Sequence, residues 1–182
     1  FGKGREASVS DLKEYSSEFN FIVDEIDAQE IEKIAISSTK IRNSINQGDL
    51  ETTKKYLGRF FSLTGKVVKG DGLGKQIDYP TANILIEEDY KIIPKDGVYY
   101  IRTTIDNKLY NGMMNIGHRP TIGNKAKSIE VNLFNFDMDI YDKVISVEVV
   151  VKIRDEKKFS SINALKAQLA KDQEHCLKLI NK

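Results

Sequence analysis

Between residues 62 and 154 apolar and polar side chains alternate, and this period of two constrains the fold more than any other feature of the chain. Successive residues of a strand point to opposite faces, so alternation yields a ribbon with one face for a core and one for water. Six stretches carry it: residues 62–69, 82–86, 97–105, 108–116, 128–134 and 144–154. The last, with Val144, Ile145, Val147, Val149, Val150, Val151 and Ile153, is too rich in β-branched residues for a helix. Asp106 and Asn107, between the third and fourth, signal a tight hairpin. Only residues 161–180 follow a helical period, with Ile162, Leu165, Leu169, Cys176 and Leu179 on one stripe. Six strands and one terminal helix, without β-α-β alternation, predict a mainly β protein: a closed antiparallel barrel or a sandwich with a helix packed on it.

Upstream the texture differs, and the change near residue 57 sets a boundary between residues 1–56 and 57–182. Ser8 or Ser10 caps a short helix through Phe19, two β-like runs follow at 21–26 and 31–36, and a helical stretch starts at Ser37. Its Ile41, Ile45, Leu50 and Tyr56 form a stripe broken at Gly48 and Asp49, which predicts two short helices with a turn between them. The chain opens on Phe1, with neither a start methionine nor a secretory leader, and is expected to be a piece of a longer protein. Charge enters as an exclusion: 28 Lys and Arg against 27 Asp and Glu give +1, without the basic excess of a nucleic-acid binder. No apolar run reaches about 18 residues, so no membrane helix is expected. A single cysteine, Cys176, excludes an intrachain disulfide framework and points to the cytoplasm.

Three motifs carry candidate chemistry. Gly70, Gly72 and Gly74 followed by Lys75 form either a plain hairpin loop or a cradle whose backbone amides approach a phosphate. It is not a Walker A loop, which would need glycine at Lys69 and Ser or Thr at Gln76. Thr81 and Asn83, two apart on an extended segment, point the same way; they satisfy a turn, or they hold Mg²⁺ if a nucleotide brings the remaining charge. Glu130 alternates with Ile129 and Val131 and is a strand carboxylate, either solvated or placed to take a proton from a hydroxyl. His118 and His175 have no partner at metal-ligand spacing and read as ordinary surface or packing residues.

In order and spacing these motifs resemble the riboflavin kinase module of bacterial bifunctional riboflavin kinase/FMN adenylyltransferases, the FAD synthetases. The resemblance rests on Leu57, Gly58 and Arg59, the glycine loop leading into Pro80, Thr81, Ala82, Asn83 and Ile84, and Asp96 through Tyr99. It continues through Asn115, Ile116 and Gly117 with Arg119, Pro120 and Thr121, then Ile129, Glu130 and Val131, and Arg154 with Glu156, Lys158, Phe159 and Ser160. Phe1, Gly2 and Lys3 with Arg5 and Glu6, and the run from Ile36 to Arg42, resemble the closing motifs of the adenylyltransferase domain. The resemblance implies a six-stranded antiparallel Greek-key barrel with a C-terminal helix, preceded by a small α/β remnant of a nucleotidyltransferase domain. It implies phosphoryl transfer from ATP to riboflavin, giving FMN and ADP. Gly70, Gly72, Gly74 and Lys75 would hold the phosphates, Thr81 and Asn83 the Mg²⁺, Glu130 would be the base, and Arg154 and Phe159 would contact the flavin. The stretch from Asn115 to Thr121 would form a flap. No His-x-Gly-His tetrad occurs in the chain, so FMN adenylylation is not expected of it. Asp78 stands where the family usually has glycine, Asp155 replaces a common proline and Lys69 a common histidine. Asp78 motivates the alternative of a flavin-binding module without turnover.

Overall fold

The computed structural model describes residues 4, 8–25, 30–31, 34–70, 72–118 and 127–180, which divide into two compact units, Phe1–Ile36 and Ser37–Lys182. The first unit holds α1 (Val9–Phe19) and a minimal antiparallel pair, β1 (Glu30–Ile31) with β2 (Ile34–Ala35). Ser8 and Asp11 form a reciprocal cap at the start of α1: Ser8 N donates to Asp11 Oδ2 at 2.6 Å and Asp11 N to Ser8 Oγ at 3.3 Å. The β-like run expected at 21–26 is not a strand over residues 21–25, and Ile26 lies outside the described residues. Apolar residues make a strand only where a ladder and a covered face exist, and here Ile22 is 95 % exposed.

The second unit opens with α2 (Ser38–Gln47) and α3 (Leu50–Leu57), the two helices that the stripe predicts. Gly48, at φ 75°, ends the first, and Asp49 caps the second by accepting from Thr52 N at 3.0 Å. A buried bond of 2.8 Å between Ser44 Oγ and Thr53 Oγ1 ties the helices together, while Leu50 joins the barrel's buried cluster. The six strands are β3 (Phe61–Val68), β4 (Ala82–Leu85), β5 (Gly97–Ile105), β6 (Lys108–His118), β7 (Lys127–Leu133) and β8 (Val144–Arg154). They pair antiparallel in the order β3-β4-β7-β6-β5-β8 and close, so no ladder edge is left unpaired. Asp106 and Asn107 turn β5 into β6 with φ of 49° and 62°, the left-handed pair that a two-residue hairpin needs. Leu63, Val67, Ile84, Tyr99, Ile101, Met114, Ile116, Val131, Val147 and Val149 fill the interior.

Between β3 and β4 the glycine-rich stretch is not a plain loop: Gly72, at φ 73°, starts a single turn of helix, α4 (Leu73–Gln76). The closing helix α5 (Ile162–Ile180) lies against β6 and β8 and covers a second apolar cluster of Val98, Tyr100, Met113, Phe134 and Cys176. Its stripe departs from expectation at two positions: Ile162 is 57 % exposed, and Asp172 is buried in the middle. No helix among the described residues is long and apolar enough to cross a membrane.

Strand β3 approaches β4 so closely at Gly65 that an added Cβ would lie against the Leu85 carbonyl and the Ile84 side chain. Gly65→Ala should therefore cost about 1–3 kcal/mol of stability, read as a lower urea midpoint; an unchanged midpoint would show that the strands can part there freely.

Candidate active site

Ladder register places a row of polar side chains across the outside of the barrel. Asn83 on β4 lies opposite Glu130 on β7, Glu130 opposite Asn115 on β6, Asn115 opposite Val98 on β5, and Val98 opposite Arg154 on β8. Directly opposed residues share a face. Their sequence neighbours Ile84, Val131, Met114 and Tyr99 belong to the interior cluster, so the row faces outward. Arg154 enters it after two register shifts on β8, one at Val150 and one at Ile153. Asn115, Ile116 and Gly117, expected in a flap, are part of β6; Arg119, Pro120 and Thr121 lie outside the described residues.

A cavity of about 230 Å³ opens between this outer face, the 74–79 segment, the 154–159 segment and α5. Thr81, Asn115, Glu130, Asn132, Arg154, Glu156 and Lys157 supply its polar lining, and Ile77, Val98, Met113, Phe159, Leu165 and Leu169 its apolar wall. Of the expected glycines only Gly74 lines it, packed so tightly that an added Cβ would meet the Tyr79 carbonyl and Thr81 Oγ1. Gly70, Gly72 and Lys75 are not among its lining residues, and Asn83 is buried beside Glu130 without lining it. A second cavity of about 230 Å³ lies between β4 and the 136–141 segment, with Phe136 and Tyr141 as aromatic lining. Thr81 is among the lining residues of both cavities.

Several charges around the site are paired. Arg154 Nε lies 3.1 and 2.9 Å from the two carboxylate oxygens of Asp172, and Arg154 Nη2 2.8 Å from Oδ2. Arg154 Nη1 donates to the Asp155 carbonyl at 3.0 Å, and the guanidinium stands 5.7 Å from the Phe159 ring centre. Asp78, at φ 64°, reaches α5 and pairs with Lys166 at 2.5 Å. Asp155 pairs with Lys152 at 2.6 Å, which holds its carboxyl below the usual carboxylate range. Lys69 stands over the Tyr141 ring at 5.7 Å. His118 lies on the surface side of β6, with its Nδ1 2.8 Å from Asp96 Oδ2. Asn132, whose amide donates to the Pro80 carbonyl at 2.7 Å, and Asp172 are the site residues that the motif reading passed over. A signal existed for Asp172, since an acidic residue in the middle of an apolar stripe must find a buried partner.

Behind the cavity Cys176 is buried on the inner side of α5, and desolvation pushes its thiol up to about 12. In native protein at pH 8 it should therefore react with a thiol reagent orders of magnitude more slowly than a free thiol, and at the free rate once urea unfolds the chain. Fast labelling of the native protein would mean that α5 opens readily.

The description "Flavokinase: Riboflavin kinase" matches residues 57–180. Among curated proteins the chain is 40 % identical over 185 residues to the bifunctional riboflavin kinase/FMN adenylyltransferase of Buchnera aphidicola subsp. Schizaphis graminum, covering 100 % of this chain and 59 % of that protein. It is 38 % identical over 146 residues to the protein of the same name from Bacillus subtilis, covering 79 % of this chain and 46 % of that one. The chain thus spans little more than half the length of the curated relatives that it matches. A crystal structure described as a macrolide-efflux protein from Streptococcus pneumoniae superposes with a TM-score of 0.80 at 36 % identity, over 93 % of this chain and 54 % of that one.

Proposed function

The chain belongs to the riboflavin kinase family, and from that membership we propose that it transfers the γ-phosphoryl group of ATP to the ribityl 5′-hydroxyl of riboflavin, giving FMN and ADP. The observation that carries the proposal is Glu130, held by ladder pairing between Asn83 and Asn115, on the wall of a cavity that Thr81 also lines. Phosphoryl transfer needs a donor and an acceptor held end to end, and most of its catalysis is positioning and electrostatics. The first cavity, apolar on one side and polar on the other, suits a flat tricyclic ring with a polar tail. The second, with Phe136 and Tyr141, suits a nucleobase. The γ-phosphoryl group then lies near Thr81, within reach of the ribityl terminus.

Each residue has a part in this reading. Glu130 accepts the proton of the 5′-hydroxyl as its oxygen attacks phosphorus, and the strand ladder on both sides holds it in place. Gly70, Gly72, Gly74 and Lys75 hold the nucleotide phosphates, with Gly74 keeping the backbone close to Thr81. Thr81, just before β4, and Asn83, on it, are neutral oxygen donors two residues apart, and such a set fits a hard divalent cation that completes its shell with water and phosphate. Mg²⁺ held there would neutralise charge on the β and γ phosphates. Arg154 and Phe159 pack against the flavin ring from the cavity wall. Asp78 turns toward Lys166 on α5, which removes the ground for a module without turnover.

We assign residues 57–182 to the kinase and residues 1–56 to the end of a nucleotidyltransferase domain, whose α2 and α3 fold with the barrel unit. FMN adenylyl transfer is left to the longer relatives, and the reaction to the cytoplasm. With ATP, Mg²⁺ and riboflavin the chain should release ADP and form FMN without FAD, identified by chromatography. Glu130→Gln and Asn83→Ala should each lower turnover by about 10²-fold or more, and EDTA should abolish it. Near wild-type turnover in Glu130→Gln would sink the base assignment.

A further inference from the structure

Asp172 is the one Asp, Glu, Lys, Arg or His buried to this degree among the described residues, at 2 % exposure, and it occupies the middle of an otherwise apolar helical stripe. Taking a carboxylate out of water is costly, and replacing a buried ion pair by well-packed apolar residues is often neutral or stabilising. Packing alone therefore gives no reason for a charge at this point of α5. The bonds that Asp172 makes supply one. Its Oδ1 accepts from Gln168 Nε2 at 2.8 Å and from Arg154 Nε at 3.1 Å, and its Oδ2 accepts from Arg154 Nε at 2.9 Å and lies 2.8 Å from Nη2. The carboxylate thus grips one edge of the guanidinium, and the Asp155 carbonyl holds Nη1. Arg154, with its side chain only 13 % exposed, is left with its plane beside Phe159 and its remaining surface on the cavity. The carboxylate also cancels the arginine's charge, so the guanidinium presents to the cavity a flat polar surface without a net charge of its own.

We propose that Asp172 is a positioning residue for the acceptor substrate: acting through Arg154, it sets the guanidinium plane in the cavity wall and neutralises it, fitting the site to an uncharged planar ring. The proposal rests on the riboflavin reading above, and it separates the roles of the two substrates. Asp172 is absent from the lining of the second cavity, so its loss should leave the nucleotide side alone.

Riboflavin binding, followed by quenching of flavin fluorescence, and the KM for ATP test this on the full chain. Asp172→Asn keeps the shape but removes the charge and one face of the grip. It should weaken riboflavin binding by about tenfold or more while the KM for ATP shifts less than about twofold, and Asp172→Glu should recover part of the loss. Gln168→Met, which removes one bond from the carboxylate and leaves the ion pair in place, should weaken riboflavin binding by about two- to fivefold, and keeps the test open if Asp172→Asn folds poorly. Asp172→Asn or Gln168→Met with wild-type riboflavin affinity and only a lowered melting temperature would overturn the proposal and make Asp172 a structural residue. Equal losses for riboflavin and ATP would overturn it as well. Wild-type protein that quenches no riboflavin fluorescence would overturn the riboflavin reading itself, and this inference with it.

Discussion

Closure of the six-stranded ladder is the constraint on which the site depends. A closed antiparallel barrel has no free edge, so shifting one strand by a residue would disturb both its neighbours and turn its apolar side outward. That locking places Asn83, Glu130 and Asn115 side by side on three strands that are not consecutive in the chain. A catalytic carboxylate gains from rigid neighbours, because chemistry of this kind tolerates little misplacement. The barrel interior is filled with side chains, which leaves the outer surface as the place for a ligand.

An outer surface alone would be open to water, and α5 supplies the missing wall. Its apolar stripe covers Val98, Tyr100 and Met113, and its buried Asp172 reaches back to the end of β8. Through Lys166 the same helix also holds the loop that precedes β4. The helix is thus bonded to both flanks of the cavity, one bond buried and one exposed. The exposed pair contributes little to stability; the buried pair fixes geometry.

Much of this was legible in the chain. Alternation gave all six strands to within two residues at their ends, and the helical period gave α2, α3 and α5. The spacing of Thr81, Asn83 and Glu130 already put each on a known face of its strand. The sequence did not reveal which strands are neighbours, because pairing order is a property of closure and leaves no mark on any one segment. The run at 21–26 failed for the converse reason: its pattern suited a strand, but no ladder was there to receive it. Three consecutive valines at 149–151 hold the first of two phase changes on β8, yet only the pairing with β5 shows the second, at Ile153, which brings Arg154 back onto the outer row. Asp172 was hidden because the helical period was read for its apolar members.

Along β7 the residues of even number, Glu130 and Asn132, face the cavity, while Ile129, Val131 and Leu133 face the core. Two independent messages are thus interleaved in one short strand. Drift in the core letters changes how firmly the barrel holds together and leaves the polar lining of the first cavity in place, and drift in the others does the reverse. A lineage can therefore retune thermal tolerance and substrate preference separately, without lengthening the chain or rebuilding the scaffold.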